Sequence, residues 1–254
     1  MAKAERKTLP KPVLHKTIFQ ARYKPQLEFY NLMTAAAQQF GEFPHWQTDR
    51  LKITLFDFEK RCSVGIAHDS FSYSQDSHDT NQEGLHINQV VDILPTALHV
   101  ESFIRFGLRR WYLIPIDVPF ESVASILNIK LFSQDERLRG IMPRELNDMS
   151  YIAVCADPPY GSRTVIGPMR KVEIPSYIVV DQAHHLNMEN RAELYVDIVK
   201  GYPDVSVYIE IDFYQQSEGL TVEDARSFIQ TASDKVHRVV ADLRDYFFST
   251  KLEE

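Results

Sequence analysis

The stretch VSVYIEIDFY, residues 205–214, decides the fold of this chain. Val205, Val207, Ile209, Ile211 and Phe213 alternate with Ser206, Tyr208, Glu210, Asp212 and Tyr214. A period of two belongs to a strand with one dry face and one polar face. Beyond Thr221 the period becomes helical, with apolar residues at Ala225, Phe228, Ile229, Ala232, Val236, Val239, Val240, Leu243 and Phe247. Such a stripe needs an apolar partner, and the dry face of the preceding strand supplies one. Thr221 stands three residues ahead of Asp224, the spacing of a reciprocal cap, and Glu223 and Asp224 suit the positive end of a helix dipole. A strand closed by a long helix is the unit of a helix-covered sheet, and its pattern speaks of core rather than catalysis.

Upstream, the same grammar recurs. Residues 13–24 (VLHKTIFQARYK) read as a strand and 25–41 as a helix stopped at Gly41. LKITLFDF, SVGIAH and SFSYS then read as antiparallel strands, the first turn built on residues 59–61. SQDSHDTNQE, residues 74–83, has no apolar residue and reads as a loop, and the helix from Ile87 is expected to break near Pro95. VESFIRFGLRRWYLIPID is a long strand, and PFESVASIL is a short helix opened by proline. Strands at SYIAVCAD, RTVIGPMRKVEI and SYIVVD follow, with a helix near 190–199.

Strands outnumber helices and their connections are short, so the expectation is an α+β fold of mostly antiparallel sheets in two similar halves, each covered by helices, with a long C-terminal helix. The divisions expected are a flexible basic arm (1–12), an N-terminal α+β half (13–130), a connecting segment (131–150) and a β-rich C-terminal half (151–254).

Composition limits the function classes. At 254 residues, 44% hydrophobic and 11% aromatic, the chain has enough apolar material for a sizeable core. No apolar run approaches the roughly 18 residues of a membrane span, and no signal-like segment precedes residue 13, so no membrane association and a cytoplasmic setting are expected. Cys62 and Cys155 make no disulfide framework, and Cys155, inside YIAVCA, is expected to be a small buried residue. A formal net charge of −7 opposes general attraction to phosphate. The exception is the start, where Lys3, Arg6, Lys7, Lys11, Lys16, Arg22 and Lys24 face Glu5 alone.

RFGLRRW followed by YLIPID, together with YIEIDFY and a terminal helix ending DLRDYFFST, resembles a sporadically distributed bacterial family of uncharacterised proteins of about this length. The resemblance spans nearly the whole chain. It implies an α+β fold and a patchy distribution of the kind seen in defence or toxin–antitoxin loci. It implies no activity, cofactor or catalytic residue.

Candidate site residues therefore come from the strands themselves. Arg105, Arg109 and Trp111 share one face of their strand, with Gly107 between the arginines leaving room for something to approach the backbone. Two guanidiniums about 13 Å apart beside an indole suit phosphate or a stacked base. The alternative is that they pair with Glu210 and Asp212 across the sheet. Those carboxylates, about 6 to 7 Å apart, would suit a hard metal if a third ligand faced them. HExxH, CxxC, phosphate-loop and nucleophile-elbow motifs are absent from the sequence, and His68, His78, His86, His184 and His185 fall at irregular spacing.

Three readings result. The first is a noncatalytic interaction protein, a sensor, adaptor or antitoxin-like subunit with a partner encoded nearby and no cofactor. The second is a nucleic-acid or nucleotide binder using the Arg105, Arg109 and Trp111 face. The third is a metal-dependent hydrolase centred on Glu210 and Asp212. Self-association stays open.

Overall fold

The computed structural model describes residues 10–57, 59–76, 80–131, 149–174 and 200–248. The expected strand at 176–181, the helix near 190–199, most of the basic arm, and the bulk of the 131–150 segment lie outside these residues, as do His78, His184, His185 and the side chain of His86.

In chain order the elements are β1 (Val13–Tyr23), α1 (Phe29–Gln38), β2 (His45–Asp49), β3 (Lys52–Asp57), β4 (Cys62–Ala67), β5 (Ser70–Gln75) and α2 (Thr80–Leu98). They continue with β6 (Phe103–Ile116), α3 (Phe120–Leu131), β7 (Tyr151–Asp157), β8 (Tyr160–Arg170), β9 (Val205–Leu220) and α4 (Val222–Phe248). Among the described residues the strands make one nine-stranded sheet in the order β2-β3-β4-β5-β1-β6-β9-β8-β7. Every neighbouring pair is antiparallel. The fold is α+β, and no helix among the described residues is long and apolar enough to cross a membrane.

One face of the sheet carries the core. Phe106 and Leu108 of β6, Ile209, Ile211 and Phe213 of β9, and Phe19 and Ala21 of β1 all point to the side where the helices lie. From α4, Ala225, Phe228, Ile229, Ala232, Val236, Val240 and Phe247 are buried there, whereas Val239 turns out to solvent. Phe228 lies 6.0 Å from Phe213 in a stacked pair and 5.9 Å from Phe106, so one ring holds the helix against the two central strands. The cap reads as its sequence implies: the Thr221 N–H donates to Asp224 Oδ2 at 2.8 Å and the Asp224 N–H to Thr221 Oγ1 at 3.2 Å. Arg110 reaches the helix side, where its Nη2 donates to Ser233 Oγ at 3.0 Å.

Several local expectations are corrected. α2 begins at Thr80, inside the stretch read as a loop, because a helix packed by its later turns extends into polar sequence. Pro95 does not break α2, which runs on to Leu98. Placed in the last turn, it deletes a single helical hydrogen bond, and the ordinary end of the helix lies just beyond it. β2 has no sequence signature because all five of its residues, HWQTD, are exposed at the sheet margin. Cys155 is exposed rather than buried: among the described residues β7 is the opposite margin, with a neighbouring strand on one side only.

Candidate functional site

The face of the sheet turned away from the helices is where β1, β6, β9 and β8 display their polar residues, and the strand register fixes which of them meet. Arg22 of β1 stands opposite Arg105 of β6. Arg109 of β6 stands opposite Asp212 of β9, and Asp212 in turn opposite Arg163 of β8. Between these rows runs a row of small residues and one ring: Ser72, Gln20, Gly107, Tyr214 and Gly161.

The carboxylates lie beneath the guanidiniums. Arg109 Nη2 donates to Asp212 Oδ2 at 3.0 Å, and its Nε lies 3.6 Å from Glu210 Oε1. Arg163 Nη1 donates to the same Glu210 oxygen at 3.2 Å, and the Tyr208 hydroxyl donates to Glu210 Oε2 at 2.7 Å. Arg105 Nη2 is 3.8 Å from Asp212 Oδ2, and its Nη1 donates to Gln20 Oε1 at 3.4 Å. Glu210 and Asp212 are only 12% and 13% exposed, whereas Arg109 and Arg163 are each 41% exposed, so the surface presented to solvent is cationic.

The electrostatics differ between neighbours. Burial works against the charge of Arg109, but Asp212 and then Glu210 more than offset it and hold its pKa above the ordinary value. Arg105 goes the other way. Burial lowers its pKa, Asp212 opposes that, and Arg22 and Arg109 add to the lowering. A guanidinium keeps its proton at any ordinary pH, so the consequence is a strained concentration of positive charge, not a titration.

Sequence reasoning placed Arg105, Arg109 and Trp111 on one face, and they are there, but the indole does not join the arginines. Trp111 lies at the other end of the face, 5.0 Å beneath Lys16 Nζ and 6.3 Å from the Tyr208 ring. It packs with Leu113, Met169, Ile174 and Tyr202 in a small second core that roofs this end. The polar face of β9 is therefore not open throughout: Ser206 and Tyr208 are buried. Nor is the backbone at Gly107 bare, since a Cβ built there would meet the guanidinium of Arg105 and Asp212 Oδ1, both at 3.7 Å.

The residues that sequence reading missed are Arg22, Lys52, Arg163 and Tyr214. Lys52 leans over Gly65, where a Cβ would approach its Cε to 3.0 Å. Tyr214 lies across Gly161, where a Cβ would come within 2.3 Å of the ring, and the Arg105 guanidinium covers its other face at 4.8 Å. Gly161 is thus required by the ring above it.

Glu210 and Asp212 are on one face, as their spacing requires, yet their oxygens are met by arginines on the side from which a metal would enter. Among the described residues no group of three or more His, Cys, Asp and Glu side chains could hold a metal ion. A cleft of about 690 Å³ opens beside Arg163 and Glu210, with Ile152, Val165, Met169 and Val172 among its walls.

No family model and no curated protein matches this chain. Among solved structures it aligns with Methanococcus jannaschii TBP at 8% identity and a TM-score of 0.30, over 90% of this chain and 99% of that one. That degree of likeness is too low to speak to fold or function.

Proposed function

We propose that this chain is a noncatalytic interaction protein whose working surface is the open, arginine-bearing face of the sheet. The observation that carries this reading is that Glu210 and Asp212, the acids on that face best placed for chemistry, are each engaged by guanidiniums, while the outer parts of Arg109 and Arg163 remain in solvent. A general acid or base needs an oxygen aimed at substrate. These oxygens neutralise their own neighbours instead.

The two-halves reading belongs here as well. The N-terminal half (13–130) holds β1 to β6 and the C-terminal half (151–254) holds β7 to β9, joined by 131–150. Support comes from the sheet order, in which β2, β3, β4, β5, β1 and β6 lie together on one side and β9, β8 and β7 on the other. The resemblance to a sporadic bacterial family suggests the setting, a sensor, adaptor or antitoxin-like subunit in a defence or toxin–antitoxin locus, within the cytoplasm.

The test is co-expression with each neighbouring gene product and co-elution on size exclusion. A complex that Arg109→Glu and Arg163→Glu disrupt, with circular dichroism unchanged, supports the proposal. A catalytic turnover abolished by Glu210→Gln with the fold intact would sink it.

A further inference from the structure

We infer that this chain pairs with a second copy of itself, edge to edge through β7, as a two-fold symmetric antiparallel dimer. The surface is the margin of the sheet, not its arginine-bearing face. Three observations lead to it.

First, the two margins of the sheet are built differently. Among the described residues β2 and β7 each have a neighbouring strand on one side only. A margin that stays single is blunted by charge, proline or shortness, because its row of N–H and C=O groups would otherwise recruit another strand. β2 is blunted in this way: it is five residues long, HWQTD, and Asp49, Arg50 and Lys52 crowd its hairpin end. β7, YIAVCAD, has seven residues, no proline, and a single charge at its last position, Asp157.

Second, apolar side chains of β7 stand in water. Ile152 and Val154 are 53% and 69% exposed, on the same side of the strand, opposite Val165 and Arg163 of β8. Val172, just past β8, is exposed as well, and with Ile152 and Val165 it lines the cleft of about 690 Å³ beside Arg163. Exposed apolar surface that runs from a cleft to an open strand edge marks an interaction site.

Third, β7 is its own complement. In an antiparallel pair turned about Val154, Val154 meets Val154 of the second copy, Ile152 meets Ala156, and Ala153 meets Cys155. One side of the seam then carries Ile152, Val154 and Ala156 from each copy, with no charge among them. Asp157 falls opposite Tyr151 instead of opposite its own copy, so the register sets no like charges against each other. The two Arg163 side chains are kept apart by both β7 strands, about 14 Å at the usual strand spacing. A slip of one residue would turn the apolar side to the wrong face. Any apolar strand could add to such an edge; a second copy is singled out because one set of residues satisfies both sides of a closed two-fold interface. Seven residues a side is well under the roughly 20 to 30 of a standard interface, so the dimer belongs to the weak, concentration-dependent class.

The experiment is sedimentation velocity on the full chain from low micromolar to several hundred micromolar, where the monomer should give way to a dimer. Ile152→Lys and Val154→Lys should each raise the dimerisation midpoint by about 10-fold or more, since a charge enters the apolar seam from both copies. Both positions face water in the monomer, so circular dichroism should stay unchanged. Trp46→Lys, an equally drastic change at the exposed β2 margin, should leave the midpoint where it is. For the register, in a Cys155→Ser background Val154→Cys should crosslink the dimer under mild oxidation. Ala156→Cys should not, because its own copy lies four residue steps away, about 13 Å.

A chain that stays monomeric up to several hundred micromolar overturns the inference. So does a dimer that survives both lysine variants, or one that Trp46→Lys dissolves. Crosslinking through position 156 in place of 154 overturns the two-fold about Val154. Slow hydrogen exchange of the β7 amides in a chain that is monomeric at every concentration means that the edge is closed within one molecule, and the inference falls.

Discussion

Arg22 and Arg105 face each other as direct partners across β1 and β6, two guanidiniums in register on the same side of the sheet. Arg22 lowers the pKa of Arg105, which burial has already lowered, and Asp212 is the main group that opposes the effect. The molecule therefore keeps a repulsive contact near the centre of its sheet, where a neutral residue would be more stable.

Replacing Arg22 with Gln should stabilise the protein. Removing an opposed like charge at an exposed position is worth about 0.2–0.5 kcal/mol, or about 0.4–2 °C in melting temperature for a chain of this size. A thermal scan in low salt checks this, and the gain should shrink as salt screens the pair. A fall in melting temperature would show that Arg22 is held by something other than repulsion.

Asp212→Asn should act in the opposite sense on stability. The carboxylate accepts from Arg109 and lies beside Arg105, so its loss leaves Arg105 without its counter-ion and Arg109 with Glu210 alone. A cost of about 1–3 kcal/mol is expected in urea unfolding. The same change makes the face more positive, so affinity for a polyanion should rise while stability drops. That split separates an electrostatic role from simple damage to the fold.

Phe228→Ala should be among the most destabilising single changes. The ring is 2% exposed and contacts Phe106 and Phe213 at the middle of the sheet. Truncating such a side chain costs about 3–5 kcal/mol. The denaturation midpoint should fall with an unchanged m-value; a loss below about 1 kcal/mol would mean that α4 is held elsewhere.

Alkaline pH should weaken the fold. Burial, reinforced by Asp57, raises the Cys62 thiol from an ordinary value of 9.0 to about 12. Burial likewise raises the Tyr202 hydroxyl from 10.0 to about 12, with Arg61 pulling the other way and Asp76 adding to the rise. The unfolded chain gives up these protons first, so stability is complete below about pH 9 and is lost as pH climbs toward about 12. Urea midpoints at pH 7.5, 9 and 10.5 should descend, and the descent should be shallower in Cys62→Ala. A flat profile would exclude the linkage.

How much of this was legible in sequence depended on how local the signal was. The alternation in β9 and the apolar stripe of α4 sit within single elements, so both could be read directly. The parity that places Arg105 with Arg109, and Glu210 with Asp212, is equally local. What meets those residues is not. Arg22 and Arg163 arrive from strands far away in the chain, and only the inter-strand register brings them into the same rows. The roof over Trp111 was hidden for a similar reason, since Ile174 and Tyr202 reach it from outside its strand. β2 escaped notice because exposed marginal strands are under little pressure to alternate, and Cys155 misled because an apolar run looks the same at a margin as in a core.

The central position of β6 has a consequence for how the protein must be made. Its two neighbours are β1, almost a hundred residues earlier, and β9, about as far behind it. A nascent chain that has emerged only as far as β8 carries one unpaired edge of β6, with Phe106, Leu108 and Ile114 alongside, and nothing yet synthesised can close it. Pairings of such long sequence separation form slowly, so the newborn protein passes through an interval in which one edge of a long strand is open to neighbours on other ribosomes, and the arrival of β9 ends it.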